Sequence, residues 1–236
     1  MRLLAISTST PRGSAAVFDG GKLIGASVYT DLEGHAERIF LAAEDALRAA
    51  GVSAASIEAF ACDIGPGSFT GVRVGVAATK GMAIGRGAPL AGVGSLEAMA
   101  AEAFASGQAG PHDLVVAALD AKKQELFLAA FDVRGALCWA PRHVPRADVA
   151  ALVLAGPGAS LPPGGLLRVV GEVAAEDPAL AAFVLRSPGT DLPDAAAVGR
   201  VALGRLVSGG DFDPEYIEPL YVRPPDAKPM ASGGPS

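Results

Sequence analysis

Short apolar runs punctuated by turn residues open the chain, and the period of the pattern then changes. LLAISTST, GSAAVFD and KLIGASVY are separated by turn residues at Pro11 to Gly13 and at Gly20 and Gly21, so they predict three strands of a β-meander. A helical period runs from about Glu33 to Ala50, with Ile39, Phe40, Ala43 and Leu47 on one face and Gly51 as its stop. IEAFACDI, Ile57 to Ile64, reads as a buried strand. Directly after it, GPGSFTGVRVGVAATKGMAIG (Gly65 to Gly85) sets a glycine-rich turn before a helix that Val72, Val74, Val76, Ala77 and Met82 continue. Ser95 is read as the cap of a further helix reaching about Ala105.

After a composition break at Gly107 to Pro111 the pattern restarts with LVVAALDAKKQELFLAAFDVRGALC. Aligned without a gap, Ile6 falls on Leu119, Ser7 on Asp120 and Phe18-Asp19 on Phe131-Asp132, which favours a duplicated ββ(β)αβα domain. Pro141 to Pro163 is rich in proline and small residues, Val169 to Gly171 reads as a short strand, and Asp194 opens a helix through about Val207. From Asp211 the segment FDPEYIEPLYVRPPDA is expected to lie extended, docked by Phe212, Tyr216 and Tyr221, with Ala231 to Ser236 disordered. The expected organisation is therefore an N-terminal domain over 1–108, a reduced C-terminal domain over 109–223, and a tail over 224–236.

Composition narrows the class. The chain has 236 residues, 50% of them hydrophobic, a net charge of -6 and a pI near 5.1. That length can bury one large or two small cores. No basic segment followed by a long apolar one opens it, and charges or prolines interrupt every apolar run, so a soluble, cytoplasmic chain without membrane contact is expected. The 2 cysteines, Cys62 and Cys138, lack the number and spacing of a disulfide framework or zinc site, and both are expected in the core. The acidic balance implies that contact with RNA needs a basic partner.

The glycine-rich turn is the strongest candidate for chemistry. Gly65 and Gly67 suit positive φ or close approach, Pro66 fixes one turn angle, and Ser68 or Thr70 suits a helix cap. A helix N-terminus of this kind receives anions, yet no Gly-Lys-Ser/Thr follows, and Gly65, Gly67 and Gly71 do not fit GxGxxG. Glycine within a helix costs about 1 kcal/mol relative to alanine. Gly71, Gly75, Gly81 and Gly85 therefore argue for a closely packed neighbour ahead of phosphate binding.

Four blocks, the opening LLAISTST, GPGSFTGVRVGVAATKG, the LDAKKQELF hairpin and the late PLYVRPP, together resemble the TsaB (YeaZ) family over nearly the whole chain. The resemblance implies an α/β architecture of two tandem actin-like, ribonuclease-H-like domains, the superfold of sugar kinases and heat-shock ATPases. It also implies a noncatalytic paralogue of TsaD, the subunit that transfers a threonylcarbamoyl group to an adenosine of tRNA. Such a chain pairs with a TsaD homologue, recruits the ATPase TsaE, forms a homodimer when alone, and meets tRNA only through the complex. No cofactor is implied for the chain alone, and ATP or ADP bound only within the complex stays open.

The resemblance places the partner interface on the first two helices: His35, Ile39, Phe40 and Ala43 on the earlier one, and Val74, Gly75, Ala78, Gly81 and Met82 on the glycine-rich one. Gly75→Leu or Ala78→Glu is then expected to abolish the heterodimer and leave the monomer folded. A TsaD-like metal site needs His-x-x-x-His on one helix face. His35 has Ile39 at that spacing, and His112 and His143 have no ligand partner nearby, so no metal is expected. Nor does Ser68, in GPGSFTG, fit a GxSxG hydrolase elbow. Ser7 stands where relatives often carry an aspartate, which weakens a nucleotide-hydrolysis role. A vestigial nucleotide cleft would comprise Ser7, Thr8, Thr10, Gly67, Ser68, Thr70 and Asp120, and a stand-alone kinase or ATPase using it is the alternative function.

Overall fold

A computed structural model describes residues 1–30, 35–172, 180–183, 190–210 and 212–223. The predicted meander is present as β1 (Arg2–Ser7), β2 (Arg12–Asp19) and β3 (Lys22–Thr30), each antiparallel to the next. Two parallel strands extend the sheet beyond β1: β4 (Ala59–Asp63) and β5 (Leu90–Val93), giving the order β3-β2-β1-β4-β5. All of β4, AFACD, is buried, as a parallel strand covered on both faces requires.

The second sheet repeats this order without its last strand. β6 (Leu114–Lys122), β7 (Glu125–Phe131) and β8 (Leu137–Pro145) form the antiparallel part, and β9 (Leu167–Val170) pairs parallel with β6. Two sheets of one topology in tandem give the duplication that the repeat predicted and the actin-like, ribonuclease-H-like α/β fold that the resemblance implied. The gapless alignment, however, slips by one residue. Phe18 faces Leu3, whereas Phe131 faces Val115, because β6 is bulged between Asp120 and Lys122. Counted from those phenylalanines, Asp120 matches Thr8 and not Ser7.

Alternation along the strands sends side chains to two layers on each sheet. On one face of the first sheet, Leu4, Ala15 and Val17 meet Ala42, Ala43, Ala46 and Leu47 of α1 (His35–Ala50) and Val72, Val76 and Ala83 of α2 (Phe69–Arg86). The other face, with Leu3, Ala5, Ala16 and Phe18, is covered by Ala195, Ala197, Val198 and Ala202 of α5 (Ala195–Ser208). On the second sheet, Val115, Ala117, Leu119 and Phe131 pack against Leu96, Met99, Ala100 and Ala103 of α3 (Ser95–Ala105). Val116, Ala118 and Leu128 pack against Val149 and Val153 of α4 (Val149–Ala155). The two halves of the chain thus exchange a helix: α5 follows the composition break but serves the first sheet, and α3 precedes it but serves the second.

Several local expectations are corrected by this packing. The residue capping α3 is Gly94, while Ser95 is its buried first residue and spends its hydroxyl on Asp63. Asp194 does cap α5, accepting from Ala197 N at 2.7 Å. Cys62 is fully buried, and burial pushes its thiol pKa up, but Cys138 lies exposed on edge strand β8. In the late segment Tyr216 is 74% exposed, so it does not dock. Docking comes from Phe212, whose carbonyl accepts from Leu90 N at 2.9 Å, from Ile217 against the first core, and from Leu220 N, which donates to Ile64 O at 2.7 Å. Tyr221 stays on the surface, where its hydroxyl accepts from Arg73 Nε at 2.7 Å. The expected tail over 224–236 lies outside the described residues. Among the described residues no helix is long and apolar enough to cross a membrane.

Candidate functional site

The two helices singled out by sequence lie side by side on one face of the first sheet, and their outer surfaces form the candidate interface. His35 opens α1, and its side chain lies outside the described residues. Ile39 and Ala43 point into the core, at 0% and 5% exposure, so they hold the helix down and do not meet a partner. Phe40 is 49% exposed and Leu41, which the helical pattern did not select, is 56% exposed. One helical residue turns the side chain by about 100°, so Phe40 falls just past the edge of the buried stripe and Leu41 on the face opposite it. An apolar residue outside the stripe of Ile39, Ala43 and Leu47 was the signal that marks Leu41.

On α2 the predicted residues divide. Val74, Ala78 and Met82 are half-buried at successive turns, Gly81 is exposed, and Ile84, not predicted, is 55% exposed. Gly75 faces inward. A Cβ there would overlap Thr8 Oγ1, and Thr8 is fully buried with that hydroxyl donating to Gly71 O at 2.7 Å. Gly75→Leu therefore breaks the monomer as well as any complex. A paired test follows: Gly81→Ala, with nothing within 4 Å, is expected to stabilise the chain by about 1 kcal/mol through helix propensity. Gly75→Ala is expected to destabilise it by about 1–3 kcal/mol through overpacking. Urea unfolding of both variants checks this, and equal shifts would refute the inward placement of Gly75.

The residues of the expected cleft are brought together, but they are packed on one another. Ser7 and Thr8 are buried completely and Thr10 nearly so, while Ser68 and Thr70 are exposed. Gly67 presses against the backbone of Ser9, Ser68 N donates to Ser9 O at 2.7 Å, and Ser68 Oγ caps α2 by accepting from Gly71 N at 3.3 Å. The chain's own first loop thus packs on the turn backbone at Gly67 and Ser68. Asp120 stands apart on the second sheet, where its carboxylate accepts from Lys122 N at 2.9 Å and Lys122 Nζ at 2.7 Å. Its burial raises its pKa, but these bonds and the charges of Lys122 and Arg146 outweigh that and hold it below the ordinary value.

Beneath the closed loop lies a group that the sequence reading missed. Asp63, at the end of β4, is 1% exposed and accepts from Ser7 Oγ at 2.8 Å, Ser9 Oγ at 2.5 Å, Ser95 Oγ at 2.5 Å and Gly65 N at 2.9 Å. Burial raises its carboxyl pKa against the opposing pull of these four donors. One side chain thereby ties the end of β1, the glycine-rich turn and the start of α3. The available signal was an acidic residue closing an apolar strand, with serines placed at the ends of other elements. Among the described residues no three or more His, Cys, Asp or Glu side chains group as a metal site.

Known proteins are similar to this chain in sequence and in fold. The family model described as TsaD, tRNA N6-adenosine threonylcarbamoyltransferase, matches residues 31–140. The tRNA threonylcarbamoyladenosine biosynthesis protein TsaB of Escherichia coli is 37% identical over 131 residues, 56% of this chain and 55% of that protein. An uncharacterized protein of Mycobacterium bovis is 35% identical over 231 residues, 97% of this chain and 95% of the relative. The chain belongs to the TsaB (YeaZ) family. The solved structure of YeaZ from Pseudomonas aeruginosa has the same fold, with a TM-score of 0.73 at 24% identity over 93% of this chain and 99% of that one. The matches to the TsaB proteins of E. coli and Haemophilus influenzae span about half the length of those relatives, 55% and 53%.

Proposed function

We propose that the chain is a noncatalytic subunit of the machinery that makes N6-threonylcarbamoyladenosine in tRNA. In this reading the outer faces of α1 and α2 pair with a TsaD homologue, the pair recruits the ATPase TsaE, and the free chain self-associates through the same face. The observation that carries the noncatalytic part is the closed cleft. Gly67 and Ser68 are packed on Ser9, and the acid at the end of β4 is occupied by four internal donors, so the carboxylate nearest the turn is spent on the fold. The names of the TsaB relatives support the pathway. Exposed Phe40, Leu41 and Ile84 support the surface, because large apolar side chains left outside the core on two neighbouring helices suit an interface.

Reconstitution tests the proposal. With tRNA, threonine, bicarbonate, ATP, the threonylcarbamoyl-adenylate synthase and TsaD and TsaE homologues, modified adenosine is expected only when this chain is present, and the chain alone is expected to make none. Equal modification without it would overturn the role. Tight, magnesium-dependent ATP binding by the isolated chain would overturn the closed cleft and restore a stand-alone enzyme.

A further inference from the structure

The turn between β6 and β7 is built from backbone that side-chain-bearing residues seldom adopt. Lys122, Lys123 and Gln124 have φ of 64°, 53° and 61°, so three successive residues occupy the left-handed region that suits glycine. Such strain persists only where surrounding contacts impose it, and it concentrates at functional sites. Here the contacts are clear. Asp120 accepts from both Lys122 N and Lys122 Nζ, and Arg146 N donates to Gln124 O at 2.8 Å, binding the turn to the end of β8.

This corner also reverses the charge of the chain. In the whole sequence 25 acidic residues outnumber 19 Lys and Arg. Around the turn stand Lys122, Lys123, Arg146 and Arg223, with Arg142 further along the exposed edge strand, against the carboxylates Asp120, Glu125 and Asp148. Asp120 and Glu125 act as fixed struts: Lys122 Nζ lies 2.7 Å from Asp120, and Arg223 Nη1 lies 3.0 Å from Glu125. Between the turn and the end of β8 is a concavity of about 490 Å³ lined by Lys123, Gln124, Glu125, Pro145, Arg146 and Ala147. Further along β8, Arg142 lies over the ring of Trp139 at 4.0 Å.

We infer that this corner grips the sugar–phosphate backbone of the tRNA that the complex modifies. Cations drawn from the β6–β7 turn, from β8 and the residue after it, and from the late segment match an extended polyanion better than a single enclosed anion. Lys122 and Arg223 are held by ion pairs and the backbone of Lys122 and Lys123 by the turn before any ligand arrives, so less ordering is left for binding at these positions. The strain gives the lysines a reason to be there, since glycine would relieve the backbone but remove the charge. The inference rests on the proposed place of the chain in tRNA modification. It also limits the expectation that RNA reaches this acidic chain only through a basic partner.

The test uses the assembled complex carrying Lys122→Gln with Lys123→Gln, and separately Lys123→Gly, which keeps the turn geometry without the charge. For the double variant, tRNA affinity is expected to fall about tenfold near 0.1 M salt, and the slope of log affinity against log salt to become shallower by about two. For Lys123→Gly, the expectation is a raised Tm with weakened tRNA binding. Assembly with the partner, read by size-exclusion chromatography, is expected to be unchanged. If the double variant fails to assemble, Arg146→Gln replaces it, with a slope change of about one expected. An unchanged slope and affinity in a normally assembled complex would overturn the inference, as would a loss confined to ATP binding, which would assign the corner to a free nucleotide. Undiminished modification when the whole chain is omitted would instead overturn the role on which the inference rests.

Discussion

Exchanging Phe40 and Leu41 together for glutamate is expected to weaken association with a TsaD homologue about a thousandfold, equivalent to about 4 kcal/mol, while the monomer unfolds as before. Both side chains are about half exposed in the monomer, so little folding energy rests on them. The residues that hold α1 to the sheet, Ala42, Ala43, Ala46 and Leu47, are untouched. At a partner surface each large apolar side chain contributes about 1.5–3 kcal/mol on full burial, and a carboxylate in its place must be desolvated without a partner. Ala78→Glu, half-buried on α2, is expected to act in the same direction. Titration calorimetry with circular-dichroism melting separates binding from folding. An unaltered Kd in a folded double variant would remove α1 from the interface. A variant that melts early would show instead that Phe40 and Leu41 belong to the core.

Asp63→Ala is expected to cost the fold about 3–5 kcal/mol, because it leaves several buried donors without an acceptor. The consequence reaches further than one strand. Ser7 closes β1, Ser9 lies in the first loop, Gly65 starts the glycine-rich turn and Ser95 begins α3, which covers the second sheet. Asp63→Asn keeps an acceptor and is expected to lose about half as much. A pH dependence accompanies it. Burial lifts the carboxyl of Asp63 above its ordinary value in the folded chain, against the pull of its donors. A raised folded pKa means that the contribution is complete below the unfolded value, about 4, and is lost as pH rises through the folded one. The gap in stability between the wild type and Asp63→Asn is therefore expected to be widest in acid and to narrow toward neutral pH. Denaturant midpoints across that range check it, and a gap that widens with pH would refute the raised pKa.

Much of the fold is legible in the sequence because its signals are local. Apolar runs bounded by Gly20, Gly21 and Gly51 mark the strands and the first helix, Asp194 caps α5, and the restart after Gly107 announces a second sheet with the order of the first. Chain order and period fix these features whatever packs on them. The glycine-rich helix likewise declares a close approach, since glycine inside a helix is costly without one. Which glycine serves it is not written there. Gly75 meets Thr8 and Gly81 meets nothing within 4 Å, a difference set by how α2 lies across the end of β1.

What tertiary structure alone decided are relations between residues distant in the chain. Helices α3 and α5 exchange sheets, and nothing in their own periodicity names the sheet that each covers. Asp63 gathers donors from positions as far apart as Ser7 and Ser95, so its role exists only once four segments converge. Phe40 and Leu41 became a surface, and Ile39 and Ala43 a core, when the azimuth of α1 on the sheet was fixed. A sequence carries the period of a helix but not its rotation against a neighbour, because period is a property of one segment and rotation is set by the fit between two.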